Sequence, residues 1–316
     1  MGLSLAMPVG VYEKALPTQD GWEGILNSAA QAGYDFVEIS IDESDARLAR
    51  LERSSPERAE IRRAIANTGV SVMSMCLSGH RKYPLGSHSP ETRRRGREIL
   101  RDAVDFAADV GLRIVQLMGY DVYYEPSDAD TRAYFLDGVH EGVRWAAQSG
   151  VMLGLENLDT PFVERIQQGL DIIREINSPW LQLYPDMGNL AAAGYHPPDE
   201  LRLAKGHLIG VHVKDAMPKV IRGIPFESGI VPLAETFQAL ADIGFWGVLA
   251  VEMWGQMDPG GDLLGSATAA RRLVQRLVDS AWASQRATLD AARDARGTSQ
   301  MHDAGAAVGR TAAAGS

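Results

Sequence analysis

Four residues in this chain have the types and spacing to hold a metal ion: Glu156, Asp186, His212 and Glu252. Each lies at or next to the end of a short apolar run, and the four runs follow one another along the chain. Three carboxylates and one imidazole suit a single divalent cation: Mn²⁺, Co²⁺, Zn²⁺ or Mg²⁺. All-oxygen ligation would point to Mg²⁺ or Ca²⁺, and the histidine moves the choice toward transition metals. Singly, each residue is as readily a salt-bridged or capping group. Jointly that reading weakens, because uncompensated carboxylates gathered at one place repel each other. Glu156 and Glu252 could also move protons. With a substrate held between them, one takes a proton from a carbon beside a carbonyl and the other returns one to the opposite face. A metal that polarises the carbonyl stabilises the enediolate, and the product is an epimer.

Such a site needs strands whose ends converge. Short runs rich in Val, Ile, Leu and Met occur at residues 7–12, 36–41, 71–77, 114–118, 152–156, 181–184, 209–213 and 248–252. They do not alternate, which is how strands covered on both faces read. Amphipathic stretches separate them. Gly33, Gly69, Gly111, Gly150 and Gly244 sit where a helix would end just before the next strand. Eight such units predict a (β/α)8 TIM barrel, whose catalytic groups come from the C-terminal ends of its strands. There Glu156 and Glu252, on the fifth and eighth strands, face each other across much of the mouth. A doubly wound sheet competes, but no G-x-G-x-x-G follows the first strand and no Walker sequence is present.

The 316 residues, 45% hydrophobic and 23% charged, are ordinary for a globular chain and suffice for one large barrel. Residues 1–296 read as a single barrel domain and 297–316 as a flexible Ala/Gly-rich tail, with the last helix over 266–296. A net charge of -10 argues against a nucleic-acid partner. The single cysteine, Cys76, excludes an intrachain disulfide and reads as an inert core thiol in a reducing cytoplasm. The first eight residues lack a basic and apolar leader, and no apolar run is long enough to span a membrane. A homo-oligomer is compatible with all of this.

Basic residues follow several strands: Lys14, His80, Arg81, Lys82, Lys219 and Arg222. Among them Lys14, His80, Arg81 and Arg222 are candidates for holding a substrate phosphate, with solvated surface charge the competing role. Trp254 and Tyr12 could wall a sugar, although core packing suits them equally. Glu38, Asn189 and Lys214 also lie near strand ends, with no role assigned.

Several segments resemble the L-ribulose-5-phosphate 3-epimerase family, also called L-xylulose-5-phosphate 3-epimerases, among the xylose-isomerase-like barrels. They are Gly10-Val11-Tyr12-Glu13-Lys14, Phe36-Val37-Glu38-Ile39-Ser40, Ser74-Met75-Cys76-Leu77-Ser78-Gly79-His80-Arg81, Gln116-Leu117-Met118-Gly119-Tyr120, Leu183-Tyr184-Pro185-Asp186, Val211-His212-Val213-Lys214-Asp215 and Val251-Glu252-Met253-Trp254. The resemblance implies one metal held by Glu156, Asp186, His212 and Glu252, with Glu156 and Glu252 as the acid/base pair. It also implies inversion at C3 of a ketopentose 5-phosphate. One departure stands out. Where the family has Gly-Glu-Gly after a Pro-Phe, this chain has Glu227-Ser228-Gly229, and a carboxylate near a phosphate would be repulsive. An unphosphorylated ketose is the alternative substrate. An aldose–ketose isomerase could use the same ligands, and a non-catalytic sugar-binding protein is the blander alternative. A metal-dependent abasic-site endonuclease is disfavoured by the charge.

Overall fold

The computed structural model describes residues 7–18, 20–52, 55–257 and 260–283. Eight strands form one parallel sheet: β1 (Val9–Tyr12), β2 (Phe36–Ser40), β3 (Ser71–Leu77), β4 (Ile114–Met118), β5 (Met152–Glu156), β6 (Leu181–Leu183), β7 (Gly210–Val213) and β8 (Val248–Val251). Between and after them run α1 (Gly21–Ala32), α2 (Asp45–Leu48), α3 (Ser55–Thr68), α4 (Pro90–Val110), α5 (Ala129–Ser149), α6 (Ile166–Ile176), α7 (Met187–Ala192), α8 (Pro197–Leu203), α9 (Leu233–Asp242) and α10 (Leu263–Ala281). The order β6-β5-β4-β3-β2-β1-β8-β7 leaves β6 and β7 at the ends. Isolated parallel bridges Leu183–Leu208 and Asp186–His212 join those ends, so the sheet comes round as the expected (β/α)8 barrel. Asp186 and His212, two of the four candidate ligands, are themselves a closing pair. His212 N donates to Pro185 O at 2.8 Å there.

The strands are buried on both faces, as their mostly apolar runs require. Outside, they pack on the apolar stripes of the helices. Inside, Phe36, Ile114, Tyr184, Val248 and Ala250 fill the barrel floor. Two glycines make room for that filling. A Cβ on Gly10 would lie 2.2 Å from the Phe36 ring, and one on Gly210 would lie 2.3 Å from Tyr184. The expected helix ends hold: Gly33, Gly69, Gly111, Gly150 and Gly244 all have positive φ, a conformation glycine adopts without a Cβ penalty.

Two of the strands that are shorter than expected are limited by a proline. β6 ends at Leu183, and Pro185, which has no N–H to give a ladder, follows closely. β1 begins only at Val9, after Pro8. The final helix starts at Leu263 rather than 266, because the Asp262 carboxylate accepts from Gly265 N at 2.9 Å and caps it. The expected continuation of that helix beyond 283 and the 297–316 tail lie outside the described residues. Among the described residues no helix is long and apolar enough to cross a membrane.

Candidate metal centre

Glu156 is the last residue of β5, and Asp186 caps α7 just beyond β6. His212 is inside β7, and Glu252 directly follows β8. All four are buried, and one potential ligand atom from each lies within 4.8 Å of every other. They converge on a single nitrogen. His212 Nδ1 is 3.1 Å from Glu156 Oε1, 3.6 Å from Glu252 Oε2 and 3.7 Å from Asp186 Oδ2.

Two further charged residues belong to the cluster. Glu38 sits fully buried in the middle of β2, with Oε1 2.5 Å from His212 Nε2. It also accepts from Ser74 Oγ at 2.6 Å and from Tyr184 OH at 3.0 Å. A carboxylate behind a ligating imidazole fixes the ring's orientation and tautomer, leaving the far nitrogen free for a metal. Lys214 Nζ lies 2.8 Å from both Asp186 Oδ2 and Glu252 Oε2. Nothing local to β2 singles out Glu38. Lys214 carried a usable signal: at two residues past His212 it shares that residue's inward face.

With its carboxylates all ionised, the cluster is short of positive charge. Three carboxylates face one ammonium, and Asp186 Oδ2, although ion-paired to Lys214, has no aligned hydrogen bond among the described residues. Burial, with Glu252 and Glu156 nearby, pushes Asp186 up to about 8 despite Lys214. Burial also raises Glu156, against His212. Burial acts upward on Glu252 too, but Lys214 and His212 outweigh it and bring this group down to about 2. His212 is held well above its ordinary value, because Glu38, Glu252 and Glu156 overcome the opposing effect of burial. Two negative charges in excess, an oxygen-rich donor set and one imidazole fit a divalent ion.

Glu156, Glu252 and Lys214 line a cavity of about 480 Å³ at the C-terminal end of the barrel. Lys14, Arg81, Arg222 and Trp254 line it too. Lys14 Nζ is paired with Asp42 Oδ2 at 2.5 Å. The Arg81 guanidinium stacks 4.8 Å from the Tyr123 ring, and that of Arg222 lies 5.4 Å from the Trp254 ring. Tyr12 lines the cavity and meets Trp254 edge-on at 6.1 Å. Cys76, whose thiol burial drives up, lines the cavity wall as well.

His80 is not brought there. It is buried against α4, with Nε2 3.0 Å from Gly96 O, and burial lowers it to about 4, so it carries no charge for a phosphate. Glu227 does not line that cavity but an adjoining pocket of about 470 Å³, which shares Lys214, Glu252 and Trp254 with it and reaches α10. Its φ of 65° is in the left-handed region, which accounts for a glycine at this position in the family it resembles.

Residues 26–277 match the family model of the xylose isomerase-like TIM barrel. The L-ribulose-5-phosphate 3-epimerase UlaE of Salmonella typhimurium is 46% identical over 254 residues, spanning 80% of this chain and 89% of the relative. That of Shigella boydii serotype 18 is 44% identical over 264 residues, 83% of this chain and 93% of its own. Among solved structures, an L-ribulose 3-epimerase superposes with a TM-score of 0.72 at 21% identity, covering 90% of this chain and 98% of the other. D-psicose 3-epimerase in the presence of D-fructose gives 0.73 at 17% identity, covering 86% and 99%. At those identities the structural likeness concerns the fold. The sequence identity over most of both chains carries more: this chain belongs to the L-ribulose-5-phosphate 3-epimerase family of xylose isomerase-like TIM barrels.

Proposed function

We propose that the chain is a divalent-metal-dependent epimerase that interconverts L-ribulose 5-phosphate and L-xylulose 5-phosphate by inversion at C3. One observation carries this reading. Glu156 and Glu252, from opposite parts of the barrel, line the same cavity and approach the same His212 nitrogen, at 3.1 and 3.6 Å. A ketose seated between them has a carboxylate on each side of C3.

Glu156, Asp186, His212 and Glu252 would hold the ion, which would polarise the C2 carbonyl and offset the charge of the developing enediolate. One glutamate removes the C3 proton, and its oxygen keeps that proton. The other glutamate delivers a proton to the opposite face of C3, so the sugar leaves with inverted configuration and no net change in protons. Which glutamate begins depends on which epimer is bound. Lys214 holds Asp186 and Glu252 in place and offsets part of their charge. Lys14, Arg81 and Arg222 receive the phosphate at the cavity rim, and Tyr12 and Trp254 form the apolar wall. The Lys14–Asp42 pair favours a second reading, an unphosphorylated ketose, because Asp42 already neutralises one rim cation.

Proton exchange tests both. The protein with Mn²⁺ is incubated in D₂O with L-ribulose 5-phosphate and, separately, with L-ribulose, and followed by NMR. Deuterium at C3 together with the C3 epimer is expected with the phosphate ester and is lost on adding EDTA. Exchange with the free ketose alone would support the second reading. No exchange with either sugar, with Mn²⁺ bound, would overturn the epimerase and leave a sugar-binding protein.

A further inference from the structure

One buried polar atom beside the centre has no use in this scheme. Asn189 lies in the first turn of α7, and its backbone N donates to Asp186 Oδ1 at 2.8 Å. Its side-chain Nδ2 donates to Asn157 O at 2.9 Å. Asn157 is locked in turn, giving Nδ2 to Asp186 O at 3.2 Å and accepting from Asp186 N at 2.9 Å. This mesh fixes the Asn189 amide in one orientation, because turning it over would set its oxygen against the Asn157 carbonyl. Oδ1 is then left buried with no hydrogen-bond partner among the described residues. The residue is 3% exposed and lines the cavity that holds Glu156 and Glu252.

An orphaned buried acceptor is unfavourable unless something completes it. An amide oxygen only accepts, so its complement must donate. A ketose carbonyl and a phosphate dianion have no proton to give, whereas a sugar hydroxyl has. The nearby cation, Lys214, is committed to Asp186 and Glu252.

Building on the epimerase reading, we propose that Asn189 Oδ1 accepts a hydrogen bond from a substrate hydroxyl next to the reacting C2–C3 pair. It thereby determines specificity for a polyhydroxylated ketose and sets which carbon faces the two glutamates. The hydroxyl is that of C1 or C4, the two flanking the pair. Asn189 takes no proton from carbon; it fixes the register of the sugar.

A cycle of protein and substrate edits decides this. Values of kcat and KM are measured for the wild type and Asn189→Leu, with Mn²⁺, on L-ribulose 5-phosphate and its 1-deoxy and 4-deoxy analogues. The wild type is expected to lose about 10- to 100-fold in kcat/KM on one of the two analogues. Asn189→Leu is expected to lose a similar factor on the parent sugar and nothing further on that analogue. The analogue affected names the hydroxyl. If the variant discriminates both analogues as the wild type does, or if the wild type treats all three sugars alike, the proposal is overturned and an ordered water completes Oδ1. Wild-type turnover of the parent sugar separates this outcome from failure of the epimerase reading, in which no sugar reacts. Thermal melting and Mn²⁺ titration check the fold of Asn189→Leu. Should it not fold, Asn189→Ser enters the same cycle.

Discussion

The mouth of this barrel contains two buried charge clusters that solve the same problem in opposite ways. In the turn after β1, Glu13 is fully buried and is met by two guanidinium groups, those of Arg47 and Arg50. Arg50 donates from Nη1 to Oε2 and from Nη2 to Oε1, both at 2.8 Å, Arg47 donates from Nη1 to Oε1, and Ser40 N adds a fourth bond at 2.8 Å. Burial raises the Glu13 carboxyl, but Arg50 and Arg47 outweigh it and hold the group below its ordinary value. At the ends of β5 to β8, three buried carboxylates share one lysine and one histidine. There Asp186 and Glu156 are pushed upward. Burial is therefore not what marks the functional centre. A deficit of positive charge marks it, because such a deficit is relieved only by holding protons on the carboxylates or by binding a further cation.

Four substitutions can break or sharpen that contrast. The largest effect is expected from Glu252→Gln, which keeps the shape but removes one acid/base group. Turnover should fall by about 10²- to 10⁴-fold at saturating Mn²⁺, with the melting temperature nearly unchanged. Undiminished turnover would contradict the two-carboxylate scheme. In the compensated cluster the consequence should be the reverse. Glu13→Gln strands two arginines and should lower stability by about 3 kcal/mol in chemical denaturation, with the proton chemistry still running. The pH dependence follows the sign of the shift. The folded Glu13 carboxyl lies below its unfolded value near 4.5, so its contribution is present above that pH and is lost as pH falls below it. The variant's stability should be flatter in that acid range.

Glu38→Gln tests the support behind the imidazole. Mn²⁺ affinity by calorimetry should drop about 10- to 100-fold, and an unchanged affinity would remove Glu38 from the centre. The smallest effect is expected from Glu227→Gly. Relief of the left-handed conformation should raise stability by about 1 kcal/mol by thermal melting and leave Mn²⁺ affinity untouched.

Several elements were plain in the sequence for local reasons. The boundaries of β3, β4 and β5 match their apolar runs, since a strand covered on both faces reads as a mostly apolar run, here interrupted only by Ser74 in β3 and Gln116 in β4. The glycines before strands were legible because a single left-handed residue is a property of one position. The four clustered residues stood out for a related reason: an acidic or imidazole side chain at the end of an apolar run is locally anomalous. His80 shows the limit of this logic. A basic residue after a strand looks like a rim cation, yet the turn aims it at the Gly96 carbonyl of α4 and burial discharges it.

The sequence by itself determined the rhythm of strands and helices, hence the barrel, and the end of the barrel where chemistry collects. Only the tertiary structure decided which side chains share that chemistry. Glu38 meets His212 across 174 residues of chain, and no local pattern encodes that pairing. Lys214 turns toward Asp186 and Glu252 rather than outward, and Asn189 is left with a bare acceptor once Asn157 takes its donor. The physical reason is the closure of the sheet. Strand periodicity fixes which face a side chain takes, whereas the distance between two inward side chains exists only after β6 and β7 have been joined.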